Sequence, residues 1–136
     1  MASARHVLSL RLPEEEKAAL ERLARRLGRS SSELAARMLL EGRRRAEFAW
    51  IDFRDTAAGR QACLQSSRVP VWWIARLARQ LQGEPEQVAD HLELPLVHVR
   101  AALNYAAAFP DEIDALIRDH ESLTLDELRR QLPQIE

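Results

Sequence analysis

The segment Val7-Leu8-Ser9-Leu10-Arg11-Leu12, followed by two short helices, constrains this chain more than any other feature. It reads as one strand and two helices over roughly forty residues, which cannot bury enough apolar surface to offset the entropy of ordering them. A lone strand also leaves both of its rows of backbone N–H and C=O groups unpaired. The segment therefore needs a twin. Two copies with antiparallel strands make a two-stranded ribbon carried on four helices, and a ribbon of that width fits the DNA major groove.

Period-two geometry sends Leu8, Leu10 and Leu12 to one face, expected to be core, and Val7, Ser9 and Arg11 to the other. The second face is either a plain solvated strand face or a set of groups aimed at base edges. Pro13 stops the strand and suits a first helical turn, where Glu14, Glu15 and Glu16 complement the positive end of the helix dipole. Ala19, Leu20, Leu23, Ala24 and Leu27 make the apolar stripe of that helix, and Gly28 ends it. Ser30 and Glu33 form a capping box for a second helix reaching about Arg45, with Leu34, Met38 and Leu39 as apolar contacts. A helix start beside Arg29 is also suited to phosphate, so Ser30 and Ser31 have two open uses, capping and anion binding.

With Leu10-Arg11-Leu12-Pro13-Glu14 and Gly28-Arg29-Ser30-Ser31-Ser32-Glu33-Leu34 at this separation, residues 5 to about 45 resemble the ribbon-helix-helix superfamily. This is the MetJ, Arc and CopG class, with the related antitoxins of toxin–antitoxin pairs. The resemblance implies base readout by Val7, Ser9 and Arg11 and phosphate clamping by the backbone at Ser30 and Ser31, beside Arg29. Val7 has no hydrogen bond to give, which leaves it apolar contact with a thymine methyl.

Net charge is −1 over 136 residues, but it is unevenly spread. Residues 1–46 hold 11 Lys and Arg against 6 Asp and Glu, whereas residues 47–136 hold 9 against 15. The first part suits nucleic acid and the second does not. Arg43-Arg44-Arg45 stands at the boundary, where it can stabilise a helix C-terminus, touch phosphate or solvate a linker. No apolar run is long enough for a signal peptide or a membrane span, so a cytoplasmic protein without membrane contact is expected. The single Cys63 reads as a small buried hydrophobe, and His6, His91, His98 and His120 lack metal-ligand spacing. No nucleophile motif or paired carboxylates suggest an enzyme, and no cofactor is expected.

Beyond the boundary, 48–53 alternates as a strand and 61–65 is its candidate partner across the loop containing Gly59. Helices follow at about 71–81, 86–91, 96–108 and 111–120, the second and third separated by Glu93-Leu94-Pro95 in a helix-turn-helix rhythm. Only Arg100 offers a cation on the second of that pair, among several carboxylates, so a second DNA reader is not expected there. Thr124 and Glu127 read as a capping box for a last helix with Leu125, Leu128 and Leu132 on one side and Arg129 and Arg130 beside them. On a wheel of the helix from Val71, Trp72 falls between Arg76 and Arg79 on the polar side. It is either covered by the hairpin or an exposed interface anchor with Arg76.

Gly59-Arg60-Gln61, Ser66-Ser67-Arg68-Val69-Pro70-Val71-Trp72 and Val99-Arg100-Ala101-Ala102-Leu103-Asn104-Tyr105-Ala106 resemble a small bacterial domain family akin to a degenerate winged helix. Its usual pattern is Gly-Lys-Pro, Gly-Thr-Arg-Ile-Pro-Val and an alanine-rich helix ending Leu-x-Tyr-Ala; Gln61 and Ser66 replace the proline and glycine. Many members are antitoxins encoded beside a PIN-like nuclease toxin. The expected architecture is mainly α with short β elements. It comprises a ribbon-helix-helix over 1–46 for dimerisation and DNA binding, a winged-helix-like domain over 47–121 and an amphipathic tail over 122–136. The expected function is an antitoxin and autorepressor. Its partners are operator DNA, a second copy of the chain and a nuclease-type toxin met through Trp72, Arg76, Leu125, Leu128, Arg129 and Arg130. The alternative is a stand-alone repressor regulated by a ligand or protein partner.

Overall fold

The computed structural model describes residues 5–123 and 125–131, without the side chains of Leu125, Leu128 and Gln131. The chain is mainly helical with one short two-stranded antiparallel sheet, in the order α1 (Glu14–Arg26), α2 (Ser31–Glu47), β1 (Ile51–Thr56), β2 (Gly59–Leu64), α3 (Val71–Gln80), α4 (Pro85–Leu92), α5 (Leu96–Ala108), α6 (Pro110–Glu121) and α7 (Leu125–Gln131). It divides into two compact units, residues 1–40 and 41–136. None of the helices among the described residues is long and apolar enough to cross a membrane.

In the first unit, residues 5–13 belong to no helix or strand, since a single copy of the chain offers their backbone no ladder. Pro13 caps α1, and its carbonyl accepts the first helical hydrogen bond from the Lys17 N–H at 3.0 Å. At the other end Gly28 takes φ +66°, a conformation any side chain would strain. The Arg29 N–H then reaches the Ala24 carbonyl and the Gly28 N–H that of Arg25, closing a Schellman motif. The apolar stripes expected to be core are largely open: only Ala24 and Leu34 are buried among the described residues of this unit, while Leu27, Met38 and Leu39 are exposed.

The second unit has a continuous core. Its hairpin pairs Ile51 with Leu64 and Phe53 with Ala62, through a two-residue turn at Ala57 and Ala58 whose closing pair is Thr56 and Gly59. The strand expected at 48–53 begins only at Ile51, because Trp50 adopts φ +65° and reverses the chain there. Phe48 instead lies against Tyr105 and Phe109, with ring centroids 5.5 Å apart in each case. Val71, Ile74 and Ala78 from α3, Val88 from α4, Val99, Ala102 and Tyr105 from α5, and Ile113 and Ile117 from α6 close over the inner face of the hairpin. Glu93 in the left-handed region ends α4, and Pro95 caps α5, giving the helix-turn-helix.

Trp72 needs correction as an exposed anchor. It is 8% exposed, its indole N–H donates to Gln61 Oε1 at 3.0 Å, and its ring lies 4.8 Å from that of His120. A wheel of α3 taken alone treats the Arg76 and Arg79 side as wet, but Arg76 meets Glu121 and Arg79 meets Asp114, both on α6. The hairpin covers the adjacent arc. Trp73, not Trp72, is the open one, at 48%.

A polar cluster is set into this core. Tyr105, fully buried, donates its hydroxyl proton to Glu112 Oε2 at 2.7 Å and accepts from Arg44 Nη1 at 2.6 Å, while Arg44 also reaches Glu112 Oε1 at 2.9 Å and stacks over Phe109. Burial, and then the neighbouring Glu112 carboxylate, raise the Tyr105 phenol well above its ordinary value of 10. A raised value means that its contribution to stability is complete below about pH 10 and drains away as the pH climbs further. Tyr105 is the chain's one tyrosine, so the 295 nm absorbance gained with pH over that of Tyr105→Phe, which carries the same three tryptophans, reports its phenolate alone. Phenolate should appear together with unfolding, not before it, and Tyr105→Phe should flatten the alkaline fall in the urea midpoint.

Candidate nucleic-acid interface

The described residues of the first unit combine an open apolar groove with a set of unpaired cations. Leu8, Leu10 and Leu12 are 71, 54 and 48% exposed and line a groove of about 510 Å³ with Leu20, Ala35 and Leu39. Val7 lines it as well, whereas Ser9 and Arg11, both exposed, are not among its walls. The alternation thus separates the leucines from the two hydrogen-bonding groups, and Val7 stands with the apolar set.

At the start of α2, Ser30 Oγ accepts a hydrogen bond from the Glu33 N–H at 3.1 Å, the N-cap half of a capping box. The backbone N–H groups of Ser30, Ser31 and Ser32 meet no acceptor among the described residues, and the exposed Arg29 precedes them. Three free N–H groups at the positive end of a helix, next to a guanidinium, can bind one phosphate oxygen cluster.

Arg11 and Arg29 have no carboxylate partner among the described residues, and neither do Arg22, Arg25 and Arg26, which line one shallow depression on α1. That ridge was missed in the sequence, although the spacing of three arginines at i, i+3 and i+4 places them on one helical face. The second unit treats its arginines differently. Arg60 grips the buried Glu41 through Nη2 at 2.6 Å, Arg45 holds Asp52 at 2.9 Å, and Arg43 pairs with Glu47 at 2.8 Å. The Arg45 hydrogen bond, and next the Phe53 N–H, hold the Asp52 carboxyl below its ordinary range. All three boundary arginines are therefore engaged by carboxylates. Arg100, the one cation on the second helix of the helix-turn-helix, meets Glu86 at 3.4 Å, which neutralises the side that would have to approach phosphate.

Arg76 meets Glu121 at 3.5 Å, too poorly aligned for a hydrogen bond, since its Nε has no partner by that measure. Arg129 and Arg130 are exposed on α7, and Arg130 Nε donates to the Asp126 carbonyl. Leu132 and Thr124 lie outside the described residues, as do the side chains of Leu125 and Leu128, and with them the expected tail stripe and its cap. Among the described residues no group of three His, Cys, Asp or Glu side chains could hold a metal ion.

The unladdered segment 5–13 with its alternating leucines, the two helices after it and the capped, cation-flanked start of α2 coincide with a family match. Residues 6–43 match the model of the ribbon-helix-helix proteins of the CopG family. The N-terminal segment is a ribbon-helix-helix. Such a segment points to a DNA-binding transcription regulator or an antitoxin. Neither a curated protein nor a solved structure matches the chain. The ribbon-helix-helix match ends at residue 43, so the hairpin and the helices from α3 onward lie outside it.

Proposed function

We propose that the chain is a homodimeric repressor that reads operator DNA through the paired strands of two ribbon-helix-helix segments. The observation carrying this reading is the state of the first unit: leucines open along one groove, only two buried residues among the described ones, and Arg11, Arg22, Arg25, Arg26 and Arg29 without a carboxylate partner among them. A second copy would supply the missing strand and cover the leucines, and the pair of strands would present Ser9 and Arg11 to base edges. Arg29 with the N–H groups of Ser30 and Ser31 would clamp phosphate on each side. The domain assignment that goes with it is DNA binding and dimerisation in the first unit and a regulatory input in the second.

A repressor of operator DNA would work in the cytoplasm. An antitoxin role adds neutralisation of a nuclease-type toxin by the second unit. Burial of Trp72 removes one anchor from that surface, leaving Arg129 and Arg130 on α7 as cations for an acidic nuclease site. Co-expression with the product of an adjoining nuclease gene, scored by rescue of growth, decides between the two roles.

The DNA-binding half is tested by dissection. A fragment of residues 1–48 should dimerise and shift operator DNA, and residues 49–136 should not. The fragment's affinity should fall on the order of a hundredfold or more between 50 and 200 mM salt, since phosphate contacts release counterions. A monomeric fragment, or binding indifferent to salt, contradicts the assignment.

A further inference from the structure

A groove of about 570 Å³ lies in the second unit between the hairpin tip, the start of α3 and the end of α6. Its walls are mostly apolar and aromatic: Trp73 with half its surface open, Trp72, Pro70, Leu116 and Leu123. That size and that lining are those of a small-molecule site, in which a few polar groups set orientation. Two hairpin donors stand among its walls, beside Thr56, Asp119 and His120. Gln61 is only 5% exposed, and the Trp72 indole, which can only donate, fixes the Gln61 amide with Oε1 toward it. The Gln61 Nε2, with two protons to give, is then left without an acceptor among the described residues. Arg54, on the same hairpin, has no carboxylate partner among the described residues either; among them its one hydrogen bond is a long 3.4 Å contact to the Arg68 carbonyl.

We propose that this groove binds a small planar aromatic monocarboxylate, with its ring against Trp73 and its carboxylate received by Gln61 Nε2 and Arg54. An amide N–H pair with no acceptor and a guanidinium with no anion are two donors seeking one group, and the flat indole beside them selects an aromatic body. The exposed Asp119 on the α6 side is the one carboxylate among the walls and argues against a ligand carrying more than a single negative charge. The inference stands apart from DNA binding, because every group it uses lies in the second unit.

Isothermal titration of the full-length protein with 2-naphthoate and with the uncharged 2-naphthamide separates charge from stacking. The acid should bind saturably, one per chain, at least fivefold more tightly than the amide. Arg54→Gln should bring the acid down to the amide's affinity, and Trp73→Ala should weaken both at least tenfold. Gln61→Glu keeps an acceptor for Trp72 and should abolish binding of the acid. Equal affinity for acid and amide, or an Arg54→Gln variant that still prefers the acid, overturns the proposal. No saturable binding overturns it as well, and preferential binding of an Asp-Phe-Leu-Asp peptide would assign the groove to a protein partner instead. Thermal melts confirm that each variant is folded, and a Trp73→Phe variant, which keeps a flat face, should retain most of the affinity.

Discussion

Replacing Arg11 by alanine should remove operator binding while leaving the dimer intact. Arg11 is exposed, makes no ion pair among the described residues and is not a wall of the leucine groove, so its loss subtracts nothing from packing. A bidentate contact from arginine to a guanine edge discriminates by about 1–3 kcal/mol, and the dimer carries the residue twice. The expected weakening is on the order of thirtyfold at the lower end of that range and far larger at the upper. Gel-shift titration measures it, and sedimentation equilibrium shows whether the dimer survives. Ser9→Ala should weaken binding less, because a single hydroxyl makes one contact where a guanidinium makes two. Retained operator affinity in Arg11→Ala would take the ribbon face out of the groove altogether.

The two helices of the first unit were legible because their signals are local. Gly28 ends α1 through hydrogen bonds that span three and five residues, and the Ser30 cap acts over three. Leu8, Leu10 and Leu12 declare their face by alternation alone. The helices of the second unit were readable for the same reason, with Pro85, Pro95 and Pro110 marking three starts. What sequence reasoning lost was set by distant partners. Arg44 reads as one of three basic residues near a helix end, yet its place is decided by Glu112, 68 residues away. Glu41 carries no signal in the sequence, yet it is buried under Arg60, 19 residues away. Those carboxylates tie the end of α2 to the hairpin and α6, within the compact unit that begins at Glu41. The strand shift at Trp50 had no local signal, since a non-glycine residue at positive φ is held there only by its surroundings.

Neighbouring tryptophans provide the sharpest test of how the second unit is built. Trp72→Ala should cost about 3–5 kcal/mol, the usual toll of deleting a large buried aromatic, because the cavity left beneath the hairpin cannot be filled by its neighbours. In a unit of this size that lowers Tm by well over about 10 °C. The loss also leaves Gln61 Oε1 without its donor, a buried acceptor whose desolvation then goes uncompensated. Trp73→Ala, by contrast, removes a side chain with half its surface in water and should change stability by about 1 kcal/mol or less. Melts of the two variants, followed by circular dichroism at 222 nm, separate the roles cleanly: Trp72 holds the hairpin to α3, and Trp73 is free to serve a ligand. Equal destabilisation by the two would mean that Trp73 is also part of the core. Near-native stability of Trp72→Ala would mean that the hairpin does not depend on the contact made through Gln61.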